Sequence, residues 1–353
     1  MSINLVRILD NNVLIEDGLV STSKQITITT TTTTFVSTTT TTVAPTTTTT
    51  TTDIPPSGLT LTGLTFTINS TGDVDSYADF YLFYNISVPS IEVDWGDGTI
   101  ETISANYKKK KGGYAYYFYH EYLTIATYNV TIDIPEDNLI SLELYGPEIS
   151  SLSLPSSSPD LSYIYIIANI SSFDTSNYSD LASLTIINNG GLITMDVSSN
   201  TALTSLNLNN NNISTMDVSS NTALTFLSLN NNNISTINVS SLTLLSYLNL
   251  DNNNITTLDV SNNTVLENLS LNNNSCSIID ISNNIVIHRL DVSYNNLTAS
   301  VIDDTLDELI SQGDKSPYWS VLDLRNQTPI AYGDVVKVNT LDTIWDEVFV
   351  DTV

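Results

Sequence analysis

Apolar and polar positions follow three regimes along the chain. Segments 61–68, 80–86, 91–95, 114–119 and 128–134 are alternating or aromatic and β-branched runs punctuated by glycine and asparagine, the pattern of short strands. From Leu139 the period lengthens. Leu206, Leu227, Leu248, Leu269 and Leu290 fill one slot of a 21-residue register, and Asn211, Asn232, Asn253, Asn274 and Asn295 fill another, five residues on. Such a period predicts a solenoid, in which each repeat is one coil that cannot bury its apolar edge alone. After Leu297 the register stops. Ser300 is placed to cap a helix through about Ser311, with Ile302, Leu306, Leu309 and Ile310 apolar and Gly313 beyond. Val321-Leu-Asp-Leu324 reads as one more strand, and 340–350, with Ile344, Trp345, Val348 and Phe349, as a closing lid.

Repeat starts at Leu139, Leu161, Leu181, Leu203, Leu224, Leu245, Leu266 and Ile287 give eight units, the first three spaced by 20 to 22 residues. The consensus Leu-x-x-Leu-x-Leu-x-x-Asn-x-Ile-x-x-Leu-Asp-Val-Ser-x-Asn-Thr-x is similar to bacterial and phage leucine-rich repeats of short period. Its Leu-x-Leu pair predicts a short parallel strand, and its first Asn an internal ladder that satisfies backbone groups at the bend. Val218, Val239, Val260 and Ile281 fill the opposite wall, and Pro147 in place of Asn marks the first unit as a capping coil. Residues flanking the Leu-x-Leu pairs face the concave side. There Tyr163, Tyr165, Phe226, Tyr247 and Arg289 stand among serines and asparagines as the candidate ligand-binding set, suited to sugar or protein.

In the preceding region, Val93-Asp-Trp-Gly-Asp-Gly-Thr99, His120-Glu-Tyr122 and Tyr128-Asn-Val130-Thr-Ile132 resemble the PKD family of Ig-like β-sandwiches, with Ala126 where that family usually has glycine. Gly96 and Gly98 permit a tight hairpin, Asp97 can hydrogen-bond within it, and Trp95 supplies core.

Residues 4–16 alternate around Asp10-Asn11-Asn12, with Leu5, Val6, Ile8, Leu9, Val13 and Ile15 as the apolar set. They read either as a tail or as a peptide that docks on another protein, on a virion in the reading favoured below. Threonine tracts 29–34, 38–42 and 46–52 follow. They have almost no apolar surface to offset ordering, and β-branched threonine favours extended backbone. About 30 such residues reach on the order of 100 Å. They read as a spacer.

Composition narrows the functional classes. The net charge is −28, from 38 acidic and 10 basic residues, so a nucleic-acid partner is not expected. Cys276, the one cysteine, falls where other repeats carry Ile213, Ile234 and Ile255, and reads as core. No apolar run approaches the ~20 residues of a bilayer span, and the N-terminal residues lack the pattern of a secretory signal. His120 and His288, the only histidines, lie in different regions, and no nucleophile elbow, phosphate loop or zinc motif is present. No enzyme is expected. Asp73, Asp75, Asp79, Asp94 and Asp97 read as solvated turn acids, with Ca²⁺ ligands as the alternative. Lys108-Lys-Lys-Lys111 reads as a solvated loop, or as one touching an acidic neighbour or an anionic glycan.

The expected fold is mainly β: a PKD-type, Ig-like β-sandwich (58–136), a leucine-rich-repeat solenoid (137–298) and a small α/β C-terminal cap (299–353). An N-terminal docking peptide (1–20) and an extended Thr-rich stalk (21–57) precede them. The resemblances imply a phage virion structural protein (fibre, spike or capsid-decoration) that contacts other virion proteins through its N-terminus and displays its domains to glycans or host surfaces. The alternative is a bacterial cell-surface or secreted adhesin. A homo-oligomer remains open, and no cofactor is expected unless Ca²⁺ binds.

Overall fold

The computed structural model describes residues 61–72, 76–84, 88, 90–104, 107–108, 114–135, 139–154, 159–187, 190–312, 321–327 and 347–349. The expected docking residues (Leu5, Val6, Ile8, Leu9, Val13 and Ile15), the Thr-rich stalk and Lys109–Lys111 lie outside them.

Strands β1 (Leu61–Ser70), β2 (Tyr77–Tyr84), β3 (Ile91–Asp94), β4 (Ile100–Ile103), β5 (Tyr107–Lys108), β6 (Tyr114–Glu121), β7 (Ala126–Pro135), β8 (Leu139–Gly146) and β9 (Ile149–Ser153) form the first part. The order β4-β3-β7-β1-β9 makes a five-stranded sheet. Facing it, β8, β2, β6 and β5 begin a second sheet. Alternation decides which side chains lie between them. Ala78, Phe80, Leu82 and Tyr84 of β2 are buried, while Tyr77, Asp79 and Tyr81 are half-buried on the other face. Phe80 stacks on Phe118 at 4.6 Å and meets Phe66 edge-on at 5.8 Å, so rings from both sheets interlock in one core.

The solenoid grows directly from this second sheet. Strand β8 pairs antiparallel with β2 on one side and parallel with β10 (Tyr163–Ala168) on the other. The unit starting at Leu139, expected to be a capping coil, makes one 22-residue turn from β8 to the parallel β10, with the antiparallel β2 on its outer side. Its chain turns at Pro147-Glu148 into β9, which joins the five-stranded sheet beside β1. The shield over the first coil is the preceding sheet pair.

Beyond it run β11 (Ser183–Ile187), β12 (Ser205–Asn207), β13 (Phe226–Ser228), β14 (Tyr247–Asn249), β15 (Asn268–Ser270) and β16 (Arg289–Asp291). Then come α1 (Ala299–Gln312), β17 (Val321–Asp323) and β18 (Glu347–Phe349). All these strands are parallel, completing a 13-stranded sheet. The 21-residue spacing stops after Leu297 as expected, and Val321–Asp323 is the further strand. Arg289 pairs with Val321, so one coil swells to 32 residues to hold α1, and the parallel sheet continues. The helix starts one residue before Ser300. The Thr298 carbonyl accepts the Ile302 N–H at 3.0 Å and the Thr298 hydroxyl accepts the Val301 N–H at 3.4 Å, so Thr298 is the cap.

Asparagine organises each coil. Asn232 Nδ2 donates to the Leu208 and Leu229 carbonyls at 2.9 Å, and its Oδ1 accepts the Ile213 N–H at 3.0 Å. The same bonds recur at Asn253, Asn274 and Asn295. One residue earlier, Asn210, Asn231, Asn252 and Asn273 hold φ between 54° and 58°, a left-handed conformation that Asn tolerates better than most residues. A second buried ladder runs along the opposite bend through Asn200, Asn221, Asn263 and Asn284, with Leu242 in the middle place. Each of these Asn side chains donates to two backbone carbonyls at 2.8 to 3.0 Å. Cys276 is core as expected, and burial pushes its thiol up to about 11.

Candidate functional site

The face of the long sheet that points away from the core is continuous from β6 to β18. Residues paired across parallel or antiparallel strands share a face, so the register gives its layout. One row reads Tyr117, Tyr81, Glu143, Tyr165, Thr185, Asn207. The row beside it reads Tyr119, Asp79, Tyr145, Ile167.

At the N-terminal end of this face each acid sits between tyrosines of the two flanking strands. Glu143 lies between Tyr81 and Tyr165, and Asp79 between Tyr119 and Tyr145. The rings touch one another: Tyr81 and Tyr117 lie 4.6 Å apart, Tyr77 and Tyr119 6.0 Å, and Tyr145 and Tyr165 5.7 Å. Hydroxyls meet carboxylates: Tyr119 donates to Glu121 at 2.5 Å and Tyr145 to Glu143 at 3.4 Å. Tyr117 is hydrogen-bonded to Asp79. Burial raises the Tyr117 and Tyr145 phenols, and the neighbouring carboxylates add to it. The same causes push Tyr119 up to about 12.

The structure divides the ligand-binding set expected from the repeats. Tyr163 and Tyr165, both on β10, belong to the tyrosine-rich end. Phe226 and Tyr247 lie three and four strands along, stacked at 4.5 Å with ring planes 10° apart, at about the strand spacing. Ser183 and Ser205 stand between the two groups. Arg289 is two strands past Tyr247 and exposed. The concave columns are as the repeat pattern placed them. Tyr77, Tyr81, Tyr117, Tyr119 and Tyr145 were missed, since antiparallel strands carry no 21-residue register to align them.

Of the aspartates considered as Ca²⁺ ligands, Asp79 belongs to the long sheet and Asp94 and Asp97 to the five-stranded sheet and its β3–β4 turn. Asp94 Oδ1 accepts the Gly96 N–H and Asp97 Oδ1 the Thr99 N–H, both at 2.9 Å, in the turn between β3 and β4. Asp79 is on the long sheet's outward face, and Asp73 and Asp75 lie outside the described residues. Among the described residues no group of three or more His, Cys, Asp or Glu is placed to hold a metal ion. No described helix is long and apolar enough to cross a membrane.

The motif residues around Trp95 assemble into one stack. The Trp95 ring lies 4.7 Å from His120 at 12°, His120 meets Tyr122 edge-on, and Tyr122 stacks on Tyr128 at 4.5 Å. His120 Nε2 lies 2.9 Å from Asp97 Oδ2. Burial would raise the Asp97 carboxyl, but bonds from Thr99 and His120 outweigh it and hold the group below its usual range. Gly96 and Gly98 have φ of 78° and 94°, and a Cβ on Gly96 would come within 2.5 Å of the Asn129 carbonyl.

Parallel Leu-x-Leu strands, a 21-residue coil and an internal Asn ladder are now together in one object. These are the features of a leucine-rich-repeat solenoid. No family model matches the chain, and no curated protein does. Among solved structures, the chain is similar to the functional domain of InlJ from Listeria monocytogenes, which includes a cysteine ladder, at 21% identity, 56% of each chain and TM-score 0.37. A leucine-rich-repeat protein of Leptospira interrogans matches at 22% identity, 54% of this chain and 50% of that one, TM-score 0.43. Internalin InlF of Listeria monocytogenes matches at 21% identity, 60% of each chain, TM-score 0.38. The chain thus spans about half to three-fifths of the length of these leucine-rich-repeat structures.

Proposed function

We propose that this chain is a non-enzymatic display protein: residues 1–20 dock it, 21–57 space it, and the sheet pair and leucine-rich repeat present a contact surface for adhesion. One observation carries the reading: the long sheet offers a single outward face from β6 through the coils, and clusters of aromatic side chains lie on that face. A solenoid sheet is suited to holding an extended partner, since every strand adds another row to the same surface. The stack of Trp95, His120, Tyr122 and Tyr128 supports a PKD-type, Ig-like sandwich for 58–136, and it gives His120 a packing role in place of a catalytic one.

The carrier in this proposal is a tailed-phage virion, on which the protein is a fibre, spike or capsid-decoration component that adheres to glycans or host surfaces. An attachment-like N-terminal segment followed by a threonine spacer supports that placement. The alternative carrier is a bacterial envelope, with the same modules acting as a surface or secreted adhesin. Mass spectrometry of density-purified virions, beside surface fractionation of cells without phage, tests it. Recovery in virions at a stoichiometric copy number supports the proposal. Recovery only in the cell envelope overturns the virion carrier.

A further inference from the structure

We infer that the tyrosine–carboxylate checkerboard on the outward face of β2, β6 and β8 is a docking site for an extended cationic peptide segment with basic side chains at alternate positions. The site belongs to the antiparallel strands that precede the repeats. It rests on the display reading above and names the partner class for one end of the displayed face.

Three features select this occupant. The first is charge. Asp79, Glu121 and Glu143 share the face, and the described residues paired with them across β2, β6, β8 and β10 include no base. The chain's net charge of −28 draws cations toward it. The second is the environment of the acids. Glu143 and Asp79 are half-buried between tyrosine rings. Low local dielectric strengthens the attraction for an ammonium or guanidinium, and the ring faces attract the same cation.

The third is spacing. Tyr81 opposes Glu143 and Asp79 opposes Tyr145, so the two acids are diagonal neighbours on adjacent antiparallel strands, roughly 7 Å apart. Side chains two residues apart on an extended peptide are also separated by about 7 Å. A segment of lysine or arginine at every second position therefore sets one cation on each acid, with its methylene stem along a tyrosine ring.

Fluorescence anisotropy on the full-length chain tests this with a dye-labelled, end-blocked peptide of alternating lysine and threonine. Asp79→Asn with Glu143→Gln removes two charges at the site, and Asp217→Asn with Asp259→Asn removes two from a distant edge. Tyr81→Ala removes a ring, with thermal melting to verify folding. The site pair is expected to weaken binding about tenfold and the distant pair less than twofold. Tyr81→Ala weakens it several-fold, and the lysine-acetylated peptide does not bind. Equal losses for both charge pairs would overturn the proposal, as diffuse charge attraction would suffice. So would tighter, salt-independent binding of a neutral oligosaccharide such as maltohexaose to the same face. Because the purified chain is used alone, failure here is distinct from failure to find the protein on particles.

Discussion

Gln327 Oε1 accepts the Leu297 N–H at 3.0 Å across 30 residues of sequence. Its Nε2 donates to the Val292 and Leu324 carbonyls at 3.1 and 2.8 Å. These are the bonds that Asn295 makes one coil earlier, to Cys276, Leu271 and Val292. A glutamine is thus the last rung of the asparagine ladder, at the coil enlarged to hold α1. Gln327→Ala leaves buried backbone groups without partners, at about 1–3 kcal/mol. The expected result is a lower melting temperature with faster hydrogen exchange at the Leu297 amide, whose acceptor is removed. Unchanged exchange at Leu297 would contradict the role.

The second ladder predicts an asymmetry between two identical substitutions. Asn200 Oδ1 accepts the Thr175 hydroxyl at 2.7 Å. Later coils have valine at that place, and the Oδ1 atoms of Asn221, Asn263 and Asn284 are buried without a hydrogen-bond partner. Val197→Thr supplies the missing donor to Asn221, so it should be neutral or stabilising. Val218→Thr faces Leu242 and buries an unpaired hydroxyl at about 1–3 kcal/mol. Paired thermal melts check the difference.

Asp251 occupies a column otherwise held by Asn209, Asn230, Asn272 and Ser293, and its Oδ1 accepts the Ser270 hydroxyl at 2.6 Å and the Asn272 N–H at 2.8 Å. Burial outweighs those bonds and raises its carboxyl above the ordinary range. A raised folded-state pKa adds stability that is complete below the unfolded value of about 3.9 and lost as pH rises through the folded value. Asp251→Asn should therefore raise the melting temperature by a few degrees at pH 7 and by little at pH 3.5. Asp97 works in the opposite sense: its lowered carboxyl contributes stability above the unfolded value that is lost as pH falls through the folded one. Melting curves against pH should accordingly separate from wild type at neutral pH in opposite directions, upward for Asp251→Asn and downward for Asp97→Asn, and converge on it in acid.

Tyr294 holds φ of 55° where the other coils place asparagine, and it is 54% exposed. Tyr294→Asn relieves left-handed strain and sacrifices little burial, so denaturant unfolding should show about 1 kcal/mol of added stability.

The leucine slots, the first asparagine ladder and Cys276 were legible in the sequence because one register repeats and each position meets its own kind in the next coil. The second ladder was equally periodic. It was not assigned because Ser-x-Asn-Thr is also a turn composition, and only burial of Asn200, Asn221, Asn263 and Asn284 distinguishes the two. Gln327 was hidden by the 32-residue spacing between Arg289 and Val321. The tyrosine checkerboard was out of reach for a different reason. Tyr81 meets Tyr117 and Glu143 through antiparallel pairing of strands far apart in sequence, with other strands between them, and no local period encodes that register.

The display account is tested most directly by tyrosine-directed footprinting on the assembled carrier, read by mass spectrometry. It predicts that Tyr81, Tyr117, Tyr165 and Tyr247 are labelled as readily on the particle as on the free chain, while residues 1–20 become protected from protease. Protection of those four tyrosines on the particle, with residues 1–20 still cleaved, would contradict it.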